Sequence, residues 1–81
     1  MPGIGQTVLY RLPDRLGQPR WRPAVVVETH DEQPQSCDLV VTLSPVDLGE
    51  VADEAGHLAG LQLWIGSRFE GDEIRAWRRA A

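Results

Sequence analysis

Lysine is missing altogether from these 81 residues, and cysteine and methionine each occur once. All eight cationic side chains are therefore arginines, the residue suited to planar, bidentate contacts with carboxylates and to stacking on aromatic rings. With Cys37 alone no internal disulfide forms, and neither a second thiol nor a histidine stands at the spacing a zinc site needs. No metal and no cofactor is expected. Long apolar runs are missing too. Nothing approaches the roughly 18 residues of a membrane span, and the opening MPGIGQTVLYRLPDR lacks the basic start and apolar stretch of a secretory signal. No membrane partner is expected, and the expected location is the cytoplasm.

What is present is a globular composition, with 42% hydrophobic and 25% charged residues, outside the range of a disordered chain. One domain over residues 1–81 follows, burying only roughly 60–65% of its unfolded surface. The net charge of −4 hides an asymmetry. Residues 1–27 hold four Arg against Asp14, residues 28–73 hold eleven carboxylates against Arg68 alone, and residues 74–81 hold three Arg, so +3, −10 and +3 sum to −4. If the terminal strands pair, the folded chain has a basic and an acidic side.

The strand signals are short, separated by turn chemistry, and no window holds a helical period over ten or more residues. TVLYR (7–11) reads as the first strand, closed by Pro13-Asp14 and a Gly17-Gln18-Pro19 loop. RPAVVVET (22–29) is the second, with Pro23 at its start or on an edge. DLVVTL (38–43), LQLWI (61–65) and IRAW (74–77) complete an expected five. Alternation puts Val25, Val27, Leu39, Val41, Leu63 and Ile74 in the core and turns Val26 the other way. Between the third and fourth strands lies SPVDLGEVADEAGHLAG, an acidic loop (44–60) with at most one or two helical turns. Ser44 suits its N-cap, Pro45 its first position and Asp47 its third.

Catalytic signatures are lacking. His30 and His57 fall in polar loops, Ser44 has no G-x-S-x-G frame, Cys37 has no assigned base, and the Gly3-Ile4-Gly5 stretch precedes a strand rather than a helix. No enzyme is expected. The conspicuous group is aromatic and basic: Tyr10 and Arg11, then Arg20, Trp21 and Arg22 where the second strand begins, then Trp64, Arg68 and Phe69, and Arg75, Trp77, Arg78 and Arg79 near the end. Trp64 and Trp77 are expected to complete the core, while Trp21 is the tryptophan expected to meet a partner. Candidate partner-binding residues are therefore Arg20, Trp21, Arg22, Arg75 and Arg78 on the basic side, with Asp53 and Glu54 on the acidic loop.

Taken in order, IGQTVLYRLPD, RPAVVV, DLVVTL and LWIGSRFEGDEIRAWRR resemble a set of small, mostly uncharacterised proteins of tailed bacteriophages and prophages. The matching positions are Gly5, Val8 and Tyr10, then Arg22 to Val26, then Leu39, Val41, Leu63, Trp64, Gly71 and Trp77. The chain departs from that pattern in its long acidic stretch, in Ile65 after Trp64, and in a terminal motif that keeps only Trp77. The resemblance implies an all-β, five-stranded SH3-like barrel of viral origin in the host cytoplasm or the virion, and no activity. The leading expectation is thus a phage-encoded, non-enzymatic interaction module, a minor virion component or assembly factor whose partner is a phage or host protein or a second copy. One alternative is an inhibitor of a host defence or nucleic-acid enzyme, whose acidic loop, Asp72 and Glu73 imitate phosphates. The other is a nucleic-acid-binding SH3-like module on the Arg and Trp face, which the overall negative charge disfavours.

Overall fold

A computed structural model describes residues 3–51 and 56–80. Among them the chain is all-β. Six antiparallel strands, β1 (Thr7–Arg15), β2 (Gln18–Thr29), β3 (Ser36–Thr42), β4 (Gly56–Ala59), β5 (Gln62–Phe69) and β6 (Trp77–Arg79), form one open sheet in the order β4-β5-β3-β2-β1-β6. The chain ends do pair, Tyr10 standing opposite Trp77 and Leu9 opposite Arg78.

Strands β1 and β2 run further than turn chemistry suggested. Pro13-Asp14 does not end β1, because the register slips there: Leu12 faces Arg20 while Arg15 faces Gln18, so two residues of β1 oppose Pro19 alone. Such a bulge tolerates prolines because it releases ladder hydrogen bonds that they cannot donate. The hairpin then closes on Leu16-Gly17, both with positive φ (52° and 77°), as a type I′ turn requires. Leucine is a poor residue for that conformation, and Leu16 is 94% exposed. Replacing Leu16 with Asn is expected to stabilise the fold by about 0.5–1 kcal/mol, read as a higher urea midpoint. A lower midpoint would mean that the Leu16 side chain contributes a contact.

The core lies on one face of the sheet. Val8, Tyr10 and Leu12 of β1, Leu39 and Val41 of β3, and Leu63 and Ile65 of β5 are all buried in alternation. On β2 the inward residues are Ala24 and Val26, whereas Val25 is 41% exposed and Val27 half-buried, the reverse of the expected parity. Three consecutive valines carry no parity of their own. Their neighbours impose it, since residues directly opposite share a face: Ala24 stands between Val8 and Val41, and Val26 opposite Leu39. Ile74 also departs from expectation, at 46% exposed. It lies in the loop before β6, where Arg75 takes a left-handed φ of 73° and lets Ala76 and Trp77 enter the core together.

Two bulges meet at Asp38. Val27 is the extra residue of β2 on one side, and Gly66-Ser67 are the irregular residues of β5 on the other. The Asp38 carboxylate accepts the Ser67 backbone N–H at 2.8 Å, where φ is 55°, and lies 2.9 Å from Nε2 of His30. Bulges bend a sheet. Beyond this one, Glu70, the residue after β5, bridges in parallel to Trp77 of β6, and the Trp77 indole donates to the Arg68 carbonyl at 3.0 Å.

The expected acidic loop is neither all loop nor all acidic surface. Pro45–Glu50 forms a 3-10 turn, with Ser44 before it and the Asp47 carboxylate accepting the Ser44 backbone N–H at 2.9 Å. Its second part contains β4, the sixth strand. GHLA has no β-branched residue to announce it; β4 forms because Gly60, with φ 61°, turns the chain back along β5. Gly56 is required there, since a Cβ would lie 2.2 Å from the Trp64 carbonyl oxygen.

Candidate interaction surface

The inward parity of β2 reaches beyond Val26. Arg20 and Arg22 stand opposite Leu12 and Tyr10, so both arginines share the core-facing side of the sheet. They sit on the half of β2 that β3 no longer flanks, because the pairing with β3 begins only at Ala24. Pro23, which has no N–H to offer, therefore starts that half. The 3-10 turn supplies the counter-ion. Asp47 is fully buried, its Oδ1 lies 2.9 Å from Arg20 Nη1, and its Oδ2 lies 2.6 Å from Arg22 Nε. Arg22 Nη2 adds a second bond at 3.0 Å, making the pair bidentate, and Arg20 also donates to the Pro13 carbonyl that the bulge leaves free. Hydrogen bonds from Arg22 hold the Asp47 carboxyl down at about 2 against the upward push of burial, with Ser44 assisting. The same bonds raise Arg22 above its usual value.

Two of the expected contact residues are thus engaged within the chain. Reversing their charge would act on the fold before it acted on any partner. The acid that holds them is the residue sequence reasoning missed. Asp47 was legible as a turn-capping carboxylate but not as the counter-ion of a strand more than twenty residues away. The available signal was parity: had Ala24 and Val26 been read as inward, Arg20 and Arg22 would have followed, and two inward arginines demand a buried acid.

The outward face is a different surface. Trp21 lies opposite Arg11 on it and is half-buried, with the Arg78 guanidinium 3.9 Å from its ring centre and that of Arg11 at 5.9 Å. Arg11 pairs with Asp14 at 2.6 Å, whereas Arg78 has no ion-pair partner among the described residues. From this stack an apolar surface extends across the sheet. Thr7 faces Val25, Val25 faces Val40, Val40 faces Trp64 and Trp64 faces His57, a single row through five strands. Leu9 and Pro23 fill the adjoining row next to Arg78. Trp64, expected in the core, is 40% exposed on this face with the His57 ring 6.1 Å away, while Trp77 takes the buried place expected of both.

The remaining expected site residues are dispersed. Arg75 lines a shallow depression of about 190 Å³ with Phe69 and Ile74, apart from the Trp21 stack. Asp53 and Glu54 fall outside the described residues. Asp72 and Glu73 are exposed, and the Asp72 backbone carbonyl accepts a hydrogen bond from Arg11 at 2.6 Å. Of the acids proposed to imitate phosphates in the 44–60 stretch, Asp47 points inward and presents nothing to solvent. Cys37 is buried, and burial together with the nearby Asp38 pushes its thiol up to about 11, the behaviour of a core side chain rather than a nucleophile. Among the described residues no three potential metal ligands cluster, and no helix is long and apolar enough to cross a membrane.

Comparison of the chain with protein-family models, with curated proteins and with solved structures finds no match.

Proposed function

We propose that the chain is a non-enzymatic protein-interaction module whose outward sheet face binds a partner segment carrying apolar side chains and carboxylates. The observation that carries this reading is the row Val25, Val40, Trp64 beside the Trp21–Arg78 stack, with Val25 and Trp64 exposed on either side of a half-buried Val40 across a continuous sheet. Trp21 stacked on Arg78 and Trp64 exposed on the same face match the composition of interface hot spots, and Arg78, with no ion-pair partner among the described residues, favours an acidic counterpart. The likeness of RPAVVV and the terminal strand to small phage proteins supports assigning the module to a phage, as a minor virion component or assembly factor acting in the host cytoplasm. We take the sheet as a variant of the SH3-like barrel, a reading supported by the approach of the β5 exit to β6 through Glu70 and Trp77.

The test is selection of binders from a random-peptide display library on the immobilised chain. Enrichment of peptides mixing apolar and acidic residues is expected, with Trp64→Ala or Trp21→Ala weakening them by about thirtyfold. Arg78→Glu should slow their association and flatten its salt dependence. Enrichment of basic peptides, or binding indifferent to all three changes, would overturn the reading.

A further inference from the structure

The two edges of the sheet are built differently. The β6 edge is three residues long and carries Arg78 and Arg79, the charged, short form by which sheets resist adding a strand. The β4 edge has no such protection. From Gly56 to Leu61 the sequence GHLAGL has no charged residue and no proline, and all six residues are exposed. Leu58 and Leu61 are 48% and 42% exposed, and Trp64 stands on the next strand, so apolar surface gathers at this end of the sheet. Among the described residues β4 is paired on one side only, by β5.

We propose that β4 pairs antiparallel with β4 of a second copy, joining the two sheets across a two-fold axis. An antiparallel strand pair is self-complementary, because each open N–H of one copy meets a carbonyl of the other. Charge selects this edge for self-association. Two chains of net charge −4 repel, but a two-fold axis through an uncharged strand sets no charged side chain against its own copy. Leu58 of each copy then loses water against the other. The protected β6 edge limits the outcome: one open edge per chain gives a closed dimer, whereas two would give a growing sheet. The continuous outward row, ending at His57 on β4, would run from one copy into the next and double the surface available to a partner. The pairing itself rests on the edge and not on what that face binds.

Sedimentation or light scattering over about 1 µM to 1 mM tests it. The expected result is a species of about 18 kDa, twice the 9.0 kDa of one chain, giving way to monomer on dilution. The double variant His57→Lys with Ala59→Lys places like charges across the axis and should raise the dissociation constant at least about tenfold with an unchanged circular-dichroism spectrum. The single variant Ala59→Lys serves if the double one unfolds. Arg79→Glu, on the other edge, should leave the dimer intact. A chain monomeric throughout, a dimer insensitive to lysines on β4 or lost with Arg79→Glu, or open-ended assembly would each overturn the proposal. The peptide-binding test uses Trp64, Trp21 and Arg78 instead, so either idea can fail alone.

Discussion

Replacing Asp47 with alanine is expected to cost about 3–5 kcal/mol of folding stability, a large share of the roughly 4–12 kcal/mol available to a domain of this size. The change removes the carboxylate that Arg20 and Arg22 share among the described residues, so that both inward guanidinium groups lose a buried counter-ion. Arg22 keeps 26% of its side-chain surface in water, which places the cost toward the lower end. Acid should produce the same effect by protonation. The carboxyl titrates near 2 when folded, below its usual 3.8, so its contribution is fully present above about pH 4 and is lost as pH falls toward 2. Urea midpoints measured from pH 5 to pH 2 should therefore fall for the parent chain and fall less for Asp47→Ala. Simultaneous replacement of Asp47, Arg20 and Arg22 by apolar residues should recover much of the loss, because what is costly is charge left on the inward face without its buried carboxylate rather than the absence of the cluster. If Asp47→Ala leaves the midpoint where it was, the 3-10 turn does not hold the inward half of β2.

That cluster marks where reading the sequence stops being enough. The all-β class, the strands around Val8, Leu39 and Leu63 and the Ser44-Pro45-Asp47 turn start were legible, because alternation and capping are local signals, whereas the pairing of the terminal strands entered only as a condition. Local signals do not set parity in VVV, and from that single ambiguity followed the misplacement of Val25 and Val26 and the expectation of free arginines at 20 and 22. Strand β4, beyond the expected five, was illegible for another reason. GHLA has no propensity of its own and becomes strand only through Gly60 and the partner β5. Of the candidate surface, Trp21 and Arg78 were named from composition, and the structure stacks them 3.9 Å apart. Trp64 and Val25 were assigned to the core and instead lie on the outward row, since burial of a large side chain depends on which face the neighbouring strands turn inward.

Trp77→Ala should be about as damaging as the loss of Asp47, at roughly 3–5 kcal/mol, because a fully buried indole leaves a cavity the small core cannot close. The position joins three parts of the chain. Trp77 stands opposite Tyr10 in β1, its carbonyl accepts the Gly71 N–H at 2.9 Å, and its indole donates to the Arg68 carbonyl where β5 leaves the sheet. Packing and hydrogen bonding can be separated with Trp77→Phe, which keeps most of the apolar contact and forfeits the indole donor, for a smaller cost of about 1–3 kcal/mol. Equilibrium urea unfolding followed by far-ultraviolet circular dichroism reads both. Hydrogen exchange of Gly71 adds a local check, since its N–H is protected only while β6 stays docked beside the β5 exit. If the phenylalanine variant loses as much as the alanine variant, the indole bond dominates packing. If neither moves the midpoint, β6 does not belong to the cooperative fold and the pairing of the chain ends is not what stabilises the sheet.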